Sequence, residues 1–162
     1  MKYEYPQGRR VNVLASYAPY GPAPWLDALA FERTLTSADL IAYLKGRLPA
    51  AAVPRVVVLD NASLHVSKVT KAARPGLAKL GIYLYYLPAY SPELNEIEPV
   101  FKQVKHHEIP QRSHTSKAEL RGSVEQGFDA YGKQLRPKGE EQLRPAASGR
   151  RPVGTCLAFP LG

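Results

Sequence analysis

Cysteine is nearly absent from this chain of 162 residues: Cys156 stands alone. That excludes internal disulfides and any cysteine-based zinc site, and it fits a reducing compartment. No apolar run approaches the roughly 18 residues needed to span a bilayer. The opening MKYEYP lacks the apolar stretch of a signal peptide. The sequence therefore reads as a cytoplasmic chain with no membrane partner. No internal repeat is visible, which sets solenoids and propellers aside. No glycine-rich phosphate loop is present, which argues against an unrelated doubly wound nucleotide binder. Aspartate is also scarce: none precedes Asp27, and only Asp39, Asp60 and Asp129 follow.

Positive charge, by contrast, is plentiful. Lys and Arg number 22 against 14 acidic residues, a net charge of +8 with a pI near 9.6. Residues 102–162 hold eleven basic and six acidic residues, so five of the eight net charges lie there. Such a balance favours polyanion partners through phosphate contacts and counterion release. With 44% hydrophobic residues the chain can build a packed core, and its length suits one domain.

The element order follows from periodicity. RVNVLASYA, ending at Pro19, and WLDALAFERTL after a Pro/Gly turn read as two antiparallel strands. Thr36-Ser37-Ala38-Asp39 offers an N-cap to a helix carrying Leu40, Ile41, Leu44 and Leu48. RVVVLD (55–60) and IYLYYL (82–87) read as buried parallel strands. The helix between them, over 64–80, should kink at Pro75-Gly76, and Gly81 suits a C′ position. Further helices are predicted over 94–108 and from the capping box at Ser116-Lys117-Ala118-Glu119. Residues 1–135 thus form an α/β domain, a parallel layer with an antiparallel flank. Residues 136–162 form a basic, Pro/Gly-rich tail with no periodicity, predicted to be poorly ordered.

Two carboxylates carry the candidate chemistry. Asp60 ends an apolar strand, where ligands gather in parallel α/β sheets; capping of the next helix is the competing role. Glu98 precedes Pro99, a residue accepted at the first turn of a helix, and so sits at a helix start beside the loop after IYLYYL. One helix and one strand separate the two acids. A right-handed crossover brings both to one sheet edge, where they suit a divalent cation with oxygen ligands, chiefly Mg²⁺. Glu93 and Glu96 read as structural carboxylates near a helix start. His106 and His107 are adjacent and cannot form an i, i+4 metal pair. Trp25 and the tyrosines of IYLYYL read as core.

VVVLDNASLHVSK followed by YLPAYSPELNEIEPVFKQVK resembles the second and third catalytic motifs of bacterial insertion-sequence transposases of the mariner-like superfamily. The similarity runs from about Val11 to Ala147. It implies an RNase H-like mixed sheet flanked by helices and a DDE-type catalytic domain. It also implies metal-dependent DNA cleavage and strand transfer with Mg²⁺ or Mn²⁺. Asp60 and Glu98 match the second and third catalytic, metal-binding carboxylates. Asn61, His65 and Asn95 match supporting positions, and Lys68, Lys102, Lys105, His106 and Arg112 are candidate DNA contacts. DNA, as transposon ends and target, is the implied partner, and a nucleoid-associated location follows.

In that family the first catalytic Asp lies on a central first strand and is preceded by a helix-turn-helix domain. Neither is found here, so the chain reads as N-terminally truncated, lacking the central strand and inactive alone. The alternative is a non-catalytic fragment that complements an upstream-encoded N-terminal half or a second transposase copy, or that binds DNA without sequence choice.

Overall fold

A computed structural model describes residues 10–19, 24–48, 54–89, 91–109, 114–135 and 152–161. Strands β1 (Val11–Ala18) and β2 (Trp25–Phe31) pair antiparallel, from Asn12 opposite Phe31 to Ala18 opposite Trp25. Helix α1 (Ser37–Arg47) leads to β3 (Arg55–Leu59). A single turn, α2 (Ser63–Val66), and α3 (Lys68–Lys79) then return the chain to β4 (Ile82–Tyr86), parallel to β3. A 3₁₀ turn at Pro92–Leu94 precedes α4 (Glu98–Gln103), which continues as a π-helical turn over Val104–Glu108. Helix α5 (Lys117–Gln134) and strand β5 (Pro152–Leu161) complete the described elements.

The sheet order is β2-β1-β5-β3-β4. Alternation along β1 divides the core between its two faces. Val11, Val13, Ala15 and Tyr17 pack with Ile97, Val100, Phe101 and Val104 around α4, and with Leu120, Val124 and Phe128 of α5. Leu14 faces the other way, joining Leu40, Tyr43 and Leu44 of α1 with Val57, Leu59, Leu77, Ile82 and Leu84. Helices thus cover both faces of a mixed sheet, in keeping with the RNase H-like α/β class read from the sequence.

Several local expectations are corrected. The break in the 64–80 helix falls at Ser67, not at Pro75-Gly76. Ser67 is extended (φ −60°, ψ 159°), and its hydroxyl caps α3 by accepting from the Thr70 N–H. Pro75 lies on the exposed side of α3, where water can take the carbonyl left without its helical partner. The 94–108 helix starts only at Glu98, and IYLYYL is not buried throughout. Tyr83 and Tyr85 are 46% and 57% exposed, because β4 ends the sheet and only its Ile82/Leu84 side packs into the core. Gly81 does take the positive φ (73°) expected of a C′ residue.

The largest correction concerns the C-terminal tail. Residues 136–151 lie outside the described residues, but Pro152–Leu161 form a central strand rather than a poorly ordered segment. β5 runs antiparallel to β1 (Ala15 opposite Leu157) and parallel to β3 (Leu59 beside Cys156). The interior position expected to lack a strand is therefore filled, and the facing backbone edges of β1 and β3 are paired. Its prolines lie near its two ends: Pro152 opens the strand opposite Val56, and Pro160 lies one residue from its end, opposite Asn12.

Thr155 pairs with both Tyr17 and Val58, so a proline there disrupts the ladder in mid-sheet. Thr155→Pro should destabilise the chain towards the upper end of the roughly 0.5–3 kcal/mol typical of single substitutions. Chemical denaturation followed by circular dichroism checks this, and an unchanged midpoint would contradict the central placement of β5.

Candidate metal centre

β3 and β4 run parallel, so both end at the same sheet edge, and the connections beyond them are tied together. The Leu87 N–H donates to the Leu59 carbonyl at 2.8 Å, extending the ladder by one step. Asn61 Nδ2 donates to the Leu87 carbonyl, also at 2.8 Å. Between these connections lies an open cleft of about 390 Å³, lined by Asp60, Asn61, Leu87, Ser91, Asn95 and Glu98 among others. The two acids singled out from the sequence thus face one cavity, together with both predicted supporting asparagines.

Asp60 follows β3 directly and is partly buried. Its Oδ1 accepts from the Ala62 N–H at 3.0 Å and lies 2.6 Å from His65 Nδ1. Burial alone would push this carboxyl up, but the bonds from His65 and Ala62 outweigh it and hold the group below its ordinary value. The competing reading, an Asp capping the next helix, is not met: Ala62 is the N-cap of α2, with no side-chain cap bond, and Asp60 instead closes an Asx-type turn.

Glu98 opens α4 with Pro99 in the first turn, as the proline required. Its Oε1 accepts a long bond, 3.4 Å, from Asn95 Nδ2, and its N–H donates to the Asn95 carbonyl at 3.1 Å. Asn95 is 3% exposed, and its Oδ1 is buried with no hydrogen-bond partner. The helix behind Glu98 is held by α5. Phe101 and Phe128 meet edge to face at 5.2 Å, and Gly127 lets α5 lie against the π-helical turn. A Cβ at 127 would approach Val104 and Ile109 side-chain carbons at 3.3 Å.

The other predicted site residues separate. His65, the third predicted supporting residue, does not line the cleft but is fully buried behind Asp60, with its backbone carbonyl accepting from the Tyr86 hydroxyl at 2.8 Å. Lys68, Lys102, Lys105 and His106 are exposed on α3, α4 and the π-helical turn, outside the cleft lining. Arg112, like Tyr90, lies outside the described residues. Glu93 is exposed, and neither it nor Glu96 lines the cleft. The remaining aspartates are engaged elsewhere. Asp27 pairs with Arg47 at 2.6 Å and Asp39 with Arg33 at 2.7 Å, while Asp129 pairs with Lys133. Among the described residues no cluster of three or more metal-ligating side chains forms.

A family model, the DDE superfamily endonuclease, matches residues 2–121, about three quarters of the chain. The chain belongs to that family. As a DDE superfamily endonuclease domain it is a transposase-like nuclease unit with DNA as its substrate class, and such domains generally use divalent metals. The match spans both Asp60 and Glu98 and takes in the first five residues of α5. No curated protein matches the chain. None of the described helices of this DDE domain is long and apolar enough to cross a membrane.

Asp60 titrates below its unfolded value of about 3.9. The folded state therefore binds fewer protons than the unfolded state around that pH, and the stabilisation is present above about pH 4 and lost as pH falls through the folded pKa. Asp60→Asn should flatten the decline of stability below about pH 4 relative to the parent chain. Urea denaturation across pH 2.5–6 measures this; parallel curves would contradict the carboxylate's protected state.

Proposed function

We propose that the cleft between Asp60 and Glu98 is the metal-binding half of a DDE-type transposase site of the mariner-like insertion-sequence kind. The observation that carries this reading is that the two acids line one cavity at the carboxyl edge of parallel strands. The donor set fits a hard divalent cation: two carboxylates, with the unpartnered amide oxygen of Asn95 buried beside them. Asp60 and Glu98 would hold Mg²⁺ or Mn²⁺. The bound ion supplies Lewis-acid activation of a phosphodiester and of the attacking oxygen.

The chain's own residues do the positioning. The Asn61–Leu87 bond fixes the distance between the two connections, and Pro99 and the Phe101–Phe128 contact fix the start of α4. Exposed Lys68, Lys102, Lys105 and His106 provide a basic periphery for the phosphate backbone, which gives salt-dependent binding without sequence choice.

Among the described residues no third acid lines the cleft. Neither β1 nor β5, the strands on the interior side of β3, contains Asp or Glu. Two carboxylates support one ion better than the pair used for in-line strand transfer. We infer that the described chain binds a cation and DNA but does not complete strand transfer by itself. The same observation favours the second reading: a domain that works with an acid from an upstream-encoded half or a second copy.

Mn²⁺ titration of the purified chain should reveal a site that Mg²⁺ competes for and that Asp60→Asn or Glu98→Gln weakens at least about tenfold. Incubation with Mg²⁺ or Mn²⁺ and nicked transposon-end DNA should give no strand transfer. Absence of Mn²⁺ binding would overturn the metal-site reading, whereas robust Asp60-dependent transfer would overturn the inferred incompleteness.

A further inference from the structure

Among the described residues, His65 is the one buried ionisable side chain touching the cleft acids that the proposed chemistry leaves without a task. It is 0% exposed, inside the corner where β3 passes into α2. Its Nδ1 lies 2.6 Å from Asp60 Oδ1 and 3.3 Å from the Asp60 carbonyl oxygen. Its Nε2 is buried with no hydrogen-bond partner.

The short contact fixes one proton. A bare Nδ1 would set its lone pair against a carboxylate oxygen at 2.6 Å, acceptor facing acceptor, so Nδ1 carries hydrogen. The His65 Nδ1–H therefore donates to Asp60 Oδ1. The backbone of His65 is anchored: its N–H donates to the Ala62 carbonyl at 2.8 Å, and the Tyr86 hydroxyl donates to its carbonyl at 2.8 Å.

The consequence falls on the acid. Asp60 Oδ1 receives both internal donors, the Ala62 N–H and His65 Nδ1–H, whereas among the described residues no donor is bonded to Oδ2. We propose that His65 is a positioning residue that locks the Asp60 carboxylate, keeping Oδ1 within the protein and offering Oδ2 alone to a divalent cation. Asp60 then binds as a one-oxygen ligand with its rotamer set before the ion arrives, and rotation about its Cβ–Cγ bond is suppressed. This assignment rests on Asp60 being a cation ligand, as set out above.

The test uses the full chain, with folding of each variant checked by circular dichroism. Mn²⁺ affinity is read from the free-ion electron paramagnetic resonance signal. His65→Leu should bind Mn²⁺ about 10–100-fold more weakly than the parent, the range expected when a ligand's orienting partner is removed. His65→Asn, whose amide nitrogen can occupy the place of Nδ1, should recover most of that loss. A merely structural histidine predicts otherwise: folded His65→Leu binding Mn²⁺ as the parent does, or both variants weakened equally, would overturn the assignment. Should His65→Leu not fold, the parent's ring ¹⁵N shifts decide. A protonated Nδ1 supports the lock, and a bare Nδ1 overturns it. Failure of the underlying metal reading has a separate signature, since the parent would then bind no Mn²⁺ that Asp60→Asn weakens.

Discussion

The parallel ladder between β3 and β4 is the constraint on which the site depends. Five residues of each strand run in register from Arg55 beside Ile82 to Leu59 beside Tyr86. Parallel pairing requires a crossover, here α2 and α3, and delivers both carboxyl ends to one edge. Asp60 is the residue after one strand, and Leu87 the residue after the other. The bond from Asn61 to the Leu87 carbonyl then fixes the mouth of the cleft, and the chain has eleven residues from Leu87 to reach Glu98. A one-residue slip would turn Asp60 towards the opposite face of the sheet.

That ladder needs cover on its other side, and β5 provides it. A sheet made only of β1–β2 and β3–β4 would present two interior edges, each a row of unmet hydrogen-bonding groups. The last ten described residues insert between them, antiparallel to one and parallel to the other. The strand completes the backbone pairing but carries no acid. The same segment therefore completes the sheet without adding a carboxylate to the two that line the cleft among the described residues.

Much of this was legible in the sequence, for identifiable reasons. RVVVLD announces a buried strand ending in an acid, and Pro99 pins Glu98 to a helix start, because proline's ring restricts where it can stand. Thr36 and Asp39 cap α1 as a mutual pair, with both capping bonds formed. Other features depend on tertiary packing that no local pattern reports. PVGTCLAFPL holds two prolines and a glycine and reads as a tail. It becomes a strand because β1 and β3 offer an interior gap. Tyr83 and Tyr85 look like core residues by type, yet their side of β4 has no helix over it. The burial of His65 was equally hidden. Its spacing of five from Asp60 was visible, but the α2 turn folds it behind the carboxylate rather than beside it.

Belonging to the DDE superfamily endonucleases sets the substrate class, while the local geometry sets what this chain can contribute: two acids on one cleft, one of them oriented from behind. Anomalous diffraction from crystals of the full chain soaked in Mn²⁺ tests that arrangement most directly. The account predicts one Mn²⁺ peak within bonding distance of both Asp60 Oδ2 and a Glu98 carboxylate oxygen. A peak elsewhere, or Asp60 and Glu98 found on separate surfaces, would contradict it.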